Sequence, residues 1–205
     1  MERKSLWGVY TQAQEKELEA LCTSYKSYLD IGKTERECIV ETVKMAKAAG
    51  YRDLNYVIAK GETLKKGDRV YAVCMDKTIA LFQIGEEPLE NGMNILGAHI
   101  DSPRIDVKQN PLYEAAEFAY LDTHYYGGVK KYQWVTIPLA IHGVVVKPDG
   151  TKVEINIGEE ENDPVFVITE DSLNRILYGS IFGRMRQTRF CLCRLWYILT
   201  CQAII

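Results

Sequence analysis

Apolar residues recur at helical spacing near the start of the chain. Between Thr11 and Leu29, the residues Leu18, Leu21, Cys22, Tyr25, Tyr28 and Leu29 stand three or four apart. That period predicts a helix with one apolar face. Thr11 with Gln14 three residues later has the form of a capping box, and Gly32 is placed to end the helix. Thr34 and Glu37 repeat the signal for a second helix, which Gly50 closes. Its expected buried stripe is Ile39, Val40, Val43, Met45 and Ala46. The pattern then changes to that of strands. Arg69 to Met75 and Thr78 to Ile84 predict a hairpin that turns at Asp76-Lys77. An acidic loop follows, Gly85 to Gly92. The run from Asn94 to His99 predicts a buried strand, and Arg104 to Lys108 a short one. Two helices, a hairpin and a further strand read as the start of an α/β domain with a mixed sheet.

From Phe118 the helical period disappears. Phe118 to Tyr126, Tyr132 to Ile141, Val144 to Lys147 and Lys152 to Ile157 all read as strands. Lys147-Pro148-Asp149-Gly150 is a turn between two of them. A change of domain is therefore expected near Pro111 to Glu117, separating residues 1–112 from a β-rich part, 113–170. Gly158 to Asp163 (GEEEND) reads as a solvated acidic loop, without the ligand spacing of an EF-hand.

The chain has 205 residues, enough for one ordinary domain or parts of two. A net charge of -3 argues against broad nucleic-acid binding. No apolar run is long enough to span a bilayer, and the N-terminus has no apolar core of a secretory signal. A cytoplasmic location without membrane contact is the expectation. Cys22, Cys38 and Cys74 are scattered as reduced thiols would be, not as a disulfide framework. Residue usage breaks at Asp171. Beyond it there is no Asp, Glu or Lys, and the positive charge is all arginine: Arg175, Arg184, Arg186, Arg189 and Arg194. Cys191, Cys193 and Cys201 crowd into the same end.

The chemistry centres on Asn94 to Lys108, NILGAHIDSPRIDVK. His99 and Asp101 stand two apart, so on an extended chain they share a face. A neutral imidazole can ligate zinc while a carboxylate holds its other ring nitrogen. The same pair can also be an ordinary hydrogen-bonded His-x-Asp. Catalytic zinc takes three protein ligands plus water, so this pair alone does not make a site. His124, in THYYGGVKKYQW, lies just before Gly127-Gly128. It reads either as part of a turn with exposed rings or as a residue lining a pocket. His142 reads as a strand-end histidine. Gly32-Lys33-Thr34 lacks the earlier glycine of a phosphate-binding loop, since Ser27 stands there. Cys191-x-Cys193 is not zinc-finger spacing, and no nucleophile elbow is present.

The segment GAHIDSPRIDVK, followed by LYEAAEFAYLDTHYYGGVKKYQWVTIPLAIHGVVVKPDG, resembles the M18 family of metallo-aminopeptidases, and the bacterial branch most of all. GKTEREC near Gly32 and GMNILGAHIDSPR agree with it, and the resemblance extends from Met1 to about Thr169. It implies that His99 is a zinc ligand and Asp101 the acidic catalytic residue that orients it. It implies two zinc ions, and removal of N-terminal residues from peptide substrates. It also implies an α/β zinc-peptidase-like catalytic domain interrupted by a β-rich oligomerisation domain, and a homo-oligomer, commonly a dodecamer.

The resemblance also marks a departure. Family chains run to more than twice this length, and their bridging Asp, adjacent Glu pair and other ligands follow the β-rich insertion. An Arg- and Cys-rich tail, 171–205, stands where the pattern should continue. Its composition is what reading a gene in a shifted frame produces; a genuine basic tail is the other reading. The expectation is a fragment inactive by itself. The alternatives are a non-catalytic assembly fragment that pairs with full-length subunits, and a chain whose uncovered apolar faces prevent stable folding.

Overall fold

The computed structural model describes residues 5, 7–115, 118–135, 137–168 and 188–192, the last group by backbone alone. Apart from Thr188–Leu192, the Arg- and Cys-rich tail lies outside the described residues. The chain divides into two compact units, Met1–Asp101 and Ser102–Ile205. The first mixes helices with a small sheet, and the described part of the second is built of strands and one 3₁₀ turn.

In the first unit, helix α1 spans Gln12–Ile31 and α2 spans Glu35–Ala48. Both begin at full capping boxes, Thr11 with Gln14 and Thr34 with Glu37. Each box satisfies backbone N–H groups that a helix start would leave without partners. Tyr28 of α1 ties the helices together. Its hydroxyl lies 3.0 Å from Thr42 Oγ1 and donates to the Cys38 carbonyl at 3.4 Å. Burial pushes this phenol's pKa above its ordinary value. Gly32 lets the connection pass close by, because a Cβ there would lie 2.6 Å from Cys38 Sγ.

The first sheet has the order β1-β2-β3, from Arg52–Asp53, Arg69–Cys74 and Thr78–Gln83. Strand β1 runs parallel to β2, and β3 is antiparallel to β2, so the sheet is mixed as expected. A short helix, α3 (Leu54–Ala59), starts at Asp53, whose carboxylate accepts from Asn55 N at 2.8 Å. Helices α2 and α3 pack on this sheet. The buried residues are Cys38, Ile39, Ala46, Val57, Val70 and Tyr71. The expected α2 stripe is therefore corrected. Val40 and Met45 are exposed, and Cys38 takes their place. Cys38, Ile39 and Ala46 are the buried residues of this helix, and Val43 is half-buried.

The hairpin turn also differs. Cys74 pairs with Thr78, so Met75, Asp76 and Lys77 form it together. Met75 (φ 53°) and Asp76 (φ 57°) occupy the left-handed region, which costs a side-chain-bearing residue energy. Arg36 of α2 holds the turn, donating to the Met75 carbonyl at 3.1 Å and to Asp76 Oδ2 at 3.3 Å. Met75 is exposed and packs little. Met75→Gly should therefore stabilise the chain by about 0.5 kcal/mol, read as a higher urea midpoint at unchanged slope.

The second unit begins with a long pair, β4 (Arg104–Ala115) and β5 (Phe118–Tyr126). The strand expected over Arg104–Lys108 runs on to Ala115. The ladder shifts register between Val107 and Leu112. Pro111 lies in that interruption, where its missing N–H takes nothing from the ladder. Strands β6 (Ile141–Val146) and β7 (Lys152–Ile157) form a separate pair. His142 lies inside β6 opposite Asn156, not at a strand end. Strand β8 (Phe166–Ile168) and β9 (Thr188–Leu192) complete a sheet of order β4-β5-β9-β8. The expected strand Tyr132–Ile141 is replaced by a 3₁₀ turn at Lys131–Gln133 and single bridges, Val135 to Ile168 and Leu139 to Phe166. Pro138 has no N–H to continue a ladder there. The core gathers on Phe166 and Ile168, with Ile105, Leu121, Trp134, Val135, Leu139, Ile141 and Ile157 against them.

The acidic loop after β7 closes on its own carboxylate. Asp163 Oδ2 accepts from Gly158 N at 2.8 Å and from Glu160 N at 3.3 Å. These backbone donors, Gly158 first, hold the Asp163 pKa below the ordinary carboxylate value. A group depressed in the folded state contributes stability above its unfolded pKa and loses it as pH falls through the folded one. Asp163→Ala should therefore lower the thermal midpoint at neutral pH. The gap to the unsubstituted chain should close in acid. A gap independent of pH would contradict this.

Candidate metal centre

The stretch directly before β4 belongs to no helix or strand. Leu89–Asn91 forms a 3₁₀ turn, and Gly92 reverses the chain at φ 101°. Asn94 to His99 was expected as a buried strand. Instead it belongs to no strand, and Leu96 is 100% exposed. An apolar run becomes a strand only where a neighbour takes its N–H and C=O groups. Among the described residues none pairs with this segment.

His99 and Asp101 nevertheless meet. His99 Nδ1 lies 2.9 Å from the Asp101 carbonyl oxygen and 3.1 Å from Asp101 Oδ1. Both of those oxygens accept, so Nδ1 carries the hydrogen and the lone pair of the neutral ring sits on Nε2. The His99 side chain is 84% exposed, which leaves Nε2 accessible. A carboxylate that fixes one ring nitrogen while the other is presented outward is the arrangement metal-ligating histidines use. The donor set thus fits zinc as one ligand with its orienting partner. Among the described residues no group of three His, Cys, Asp or Glu could hold a metal ion. Catalytic zinc takes three protein ligands, so the His99–Asp101 pair does not make a centre by itself.

His124 belongs to the second unit. It lies on β5, its side chain 56% exposed, with Tyr125 and Tyr126 exposed beside it. Across the ladder it faces Asp106 of β4, and Arg104 faces Tyr126. Arg104 Nε donates to Asp106 Oδ1 at 2.7 Å, and the guanidinium stands 4.1 Å over the Tyr126 ring. The Asp106 side chain is only 6% exposed. The sequence reading missed this group. The signal was available as Arg-x-Asp on one strand and His-x-Tyr on the next, each pair sharing a face at the period of two. His142 Nε2 lies 3.2 Å from Glu159 Oε1 at the base of the acidic loop. The described cysteines Cys22, Cys38 and Cys74 are free thiols. Among the described residues no helix is long and apolar enough to cross a membrane.

A histidine whose Nδ1 is held by an aspartate, in a mixed helix-and-sheet unit followed by a β-rich one, accords with part of a metallohydrolase. Residues 28–171 match the family described as Aminopeptidase I zinc metalloprotease (M18), and the chain belongs to that family. It is 56% identical over 169 residues to Probable M18 family aminopeptidase 1 of Clostridium acetobutylicum, covering 82% of this chain and 36% of that protein. The chain thus spans about a third of that relative's length. The crystal structure of aminopeptidase I from the same organism aligns with TM-score 0.76 at 49% identity, covering 94% of this chain and 43% of that one. Aminopeptidase I from Borrelia burgdorferi B31 aligns with TM-score 0.76 at 33% identity, covering 98% and 46%. The S. cerevisiae mApe1 dodecamer aligns with TM-score 0.59 at 13% identity, covering 86% and 48%, a likeness of fold alone.

Proposed function

We propose that this chain supplies the first part of a zinc-dependent aminopeptidase that removes N-terminal residues from peptides. The observation that carries the reading is the state of His99. Its Nδ1 is held by Asp101, and its side chain is exposed. His99 is the zinc ligand, and Asp101 fixes its tautomer and raises its basicity. Zinc bound in the whole enzyme, two ions by the family resemblance, would supply Lewis-acid chemistry: an activated water and a polarised scissile carbonyl. The other ligands come from outside the described residues. Residues 1–112 belong to the catalytic domain and 113–170 to the β-rich insertion. His124 lines a pocket or interface. The whole protein works in the cytoplasm and as a homo-oligomer; the solved mApe1 structure is a dodecamer.

By itself the 205-residue chain does not cleave peptides, because one histidine and its carboxylate cannot hold a two-metal centre. Zinc-dependent release of N-terminal residues by the purified chain would contradict this. A hybrid tests the positive half. Residues 1–169 of this chain replace the matching part of the C. acetobutylicum enzyme. The hybrid should cleave peptides with zinc, and His99→Ala should cost it on the order of a thousandfold, as loss of a group that acts only as part of a unit does. An active hybrid indifferent to His99→Ala would sink the assignment.

A second reading has support of its own. Among the described residues, β4 lies at an edge of the second unit's sheet, and β6–β7 is a separate pair. Strand edges of this kind can pair with another chain. Retention of the chain on a full-length subunit during purification, together with an inactive hybrid, would favour a non-catalytic assembly role.

A further inference from the structure

Helix α1 carries an apolar face that the described structure leaves open. Leu18, Leu21, Cys22, Tyr25, Tyr28 and Leu29 stand three or four apart along Gln12–Ile31 and share one side of the helix. A globular helix turns such a stripe to its core. Yet no residue of α1 is buried, and Leu21, Tyr25 and Leu29 are 67%, 59% and 45% exposed. Helix α2 meets α1 at Tyr28 and leaves those three side chains open. A helix of this length is marginal by itself and draws most of its stability from packing an apolar face.

Size and charge decide among the occupants such a face could take. One side of a helix about 30 Å long and about 10 Å wide offers about 300 Å². A stable dimer needs about 800 Å² from each partner, so a second copy seated on this stripe alone falls short. The rest of the helix carries Glu15, Glu17, Glu19 and Asp30 against Lys16 and Lys26, the wrong balance for an anionic lipid surface. A cover that belongs to the same polypeptide needs no such area, because it binds at a high effective concentration. The relatives have chain to spare for it. The alignment with aminopeptidase I of C. acetobutylicum takes in 94% of this chain, hence most of α1, but only 43% of that one.

We propose that the α1 stripe is the seat of an apolar segment from the part of an M18 chain that this sequence does not match. In a complete enzyme that segment closes over Leu21, Tyr25 and Leu29. The family membership carries this cover and the zinc reading plays no part in it, so the test reads stability and not cleavage.

One pair of substitutions is compared in two settings. Leu21→Lys with Leu29→Lys keeps helix propensity and puts two charges on the stripe. In the 205-residue chain both positions face water, and the thermal midpoint should stay within about 1 °C. In the hybrid with the C. acetobutylicum enzyme the same pair should lower the midpoint by about 5 °C or more, because both charges would be buried. Ser24→Lys, on the polar side of α1, should move neither protein. Should the paired variant of the hybrid fail to fold, Leu21→Gln alone carries the test, with a smaller loss in the hybrid only. An unchanged hybrid overturns the proposal. So does an equal loss in the 205-residue chain, which would place the cover within it. Self-association of the 205-residue chain that the pair abolishes would make a second copy the occupant, and overturns it too.

Discussion

Phe166→Ala is expected to lower the stability of the second unit by about 4 kcal/mol. Phe166 is 2% exposed and sits at the centre of its core, with Ile168. It also lies where the chain crosses itself. Leu139 N donates to the Phe166 carbonyl at 2.8 Å, and Phe166 pairs with Leu192 on β9. Removing the ring leaves a cavity among Trp134, Leu139, Ile141 and Ile157 that a backbone pinned on both sides cannot close. Urea denaturation followed by Trp134 fluorescence reads the effect. A loss below about 1 kcal/mol would mean that the site collapses freely, and that this cluster is not the core.

The second large effect falls on the metal. Asp101→Ala in the hybrid enzyme should weaken zinc binding about tenfold to a hundredfold, the range found when a histidine's orienting partner is removed. The cause is local. Without Asp101 Oδ1, nothing but a backbone carbonyl keeps the hydrogen on Nδ1, and the ring divides its time between tautomers. Competition with a zinc chelator measures the change. Asp101→Asn should retain part of the affinity, because the amide oxygen can still accept from Nδ1. Equal zinc affinity in all three proteins would show that Asp101 does not orient the ligand.

What could be read from the sequence follows how local each feature is. Both long helices and their capping boxes were legible, because Thr11 with Gln14 and Thr34 with Glu37 act within one turn. Strand β5 was legible to the residue, and so was β7, which turn residues bound on both sides. Helix α3 was missed. With six residues it is too short to show a period, although Asp53 ahead of it is an N-cap signal. The strand expected over Asn94–His99 failed for a different reason. Its apolar content was visible, but its pairing is decided by residues far away in sequence. The candidate site divides along the same line. His99 and Asp101 are two residues apart, so their contact was predictable, and the M18 resemblance gave the pair a role. The group around His124 depends on the register of β4 against β5, which is set by pairing between residues distant in sequence.

The central claim is that His99 offers Nε2 to zinc while Asp101 holds Nδ1. Zinc titration of the 205-residue chain, followed by the ring nitrogen shifts of His99, tests it most directly. The expected result is weak binding that shifts Nε2, leaves the hydrogen on Nδ1, and disappears in His99→Ala. Zinc bound through Nδ1, or binding that survives His99→Ala unchanged, would contradict the account.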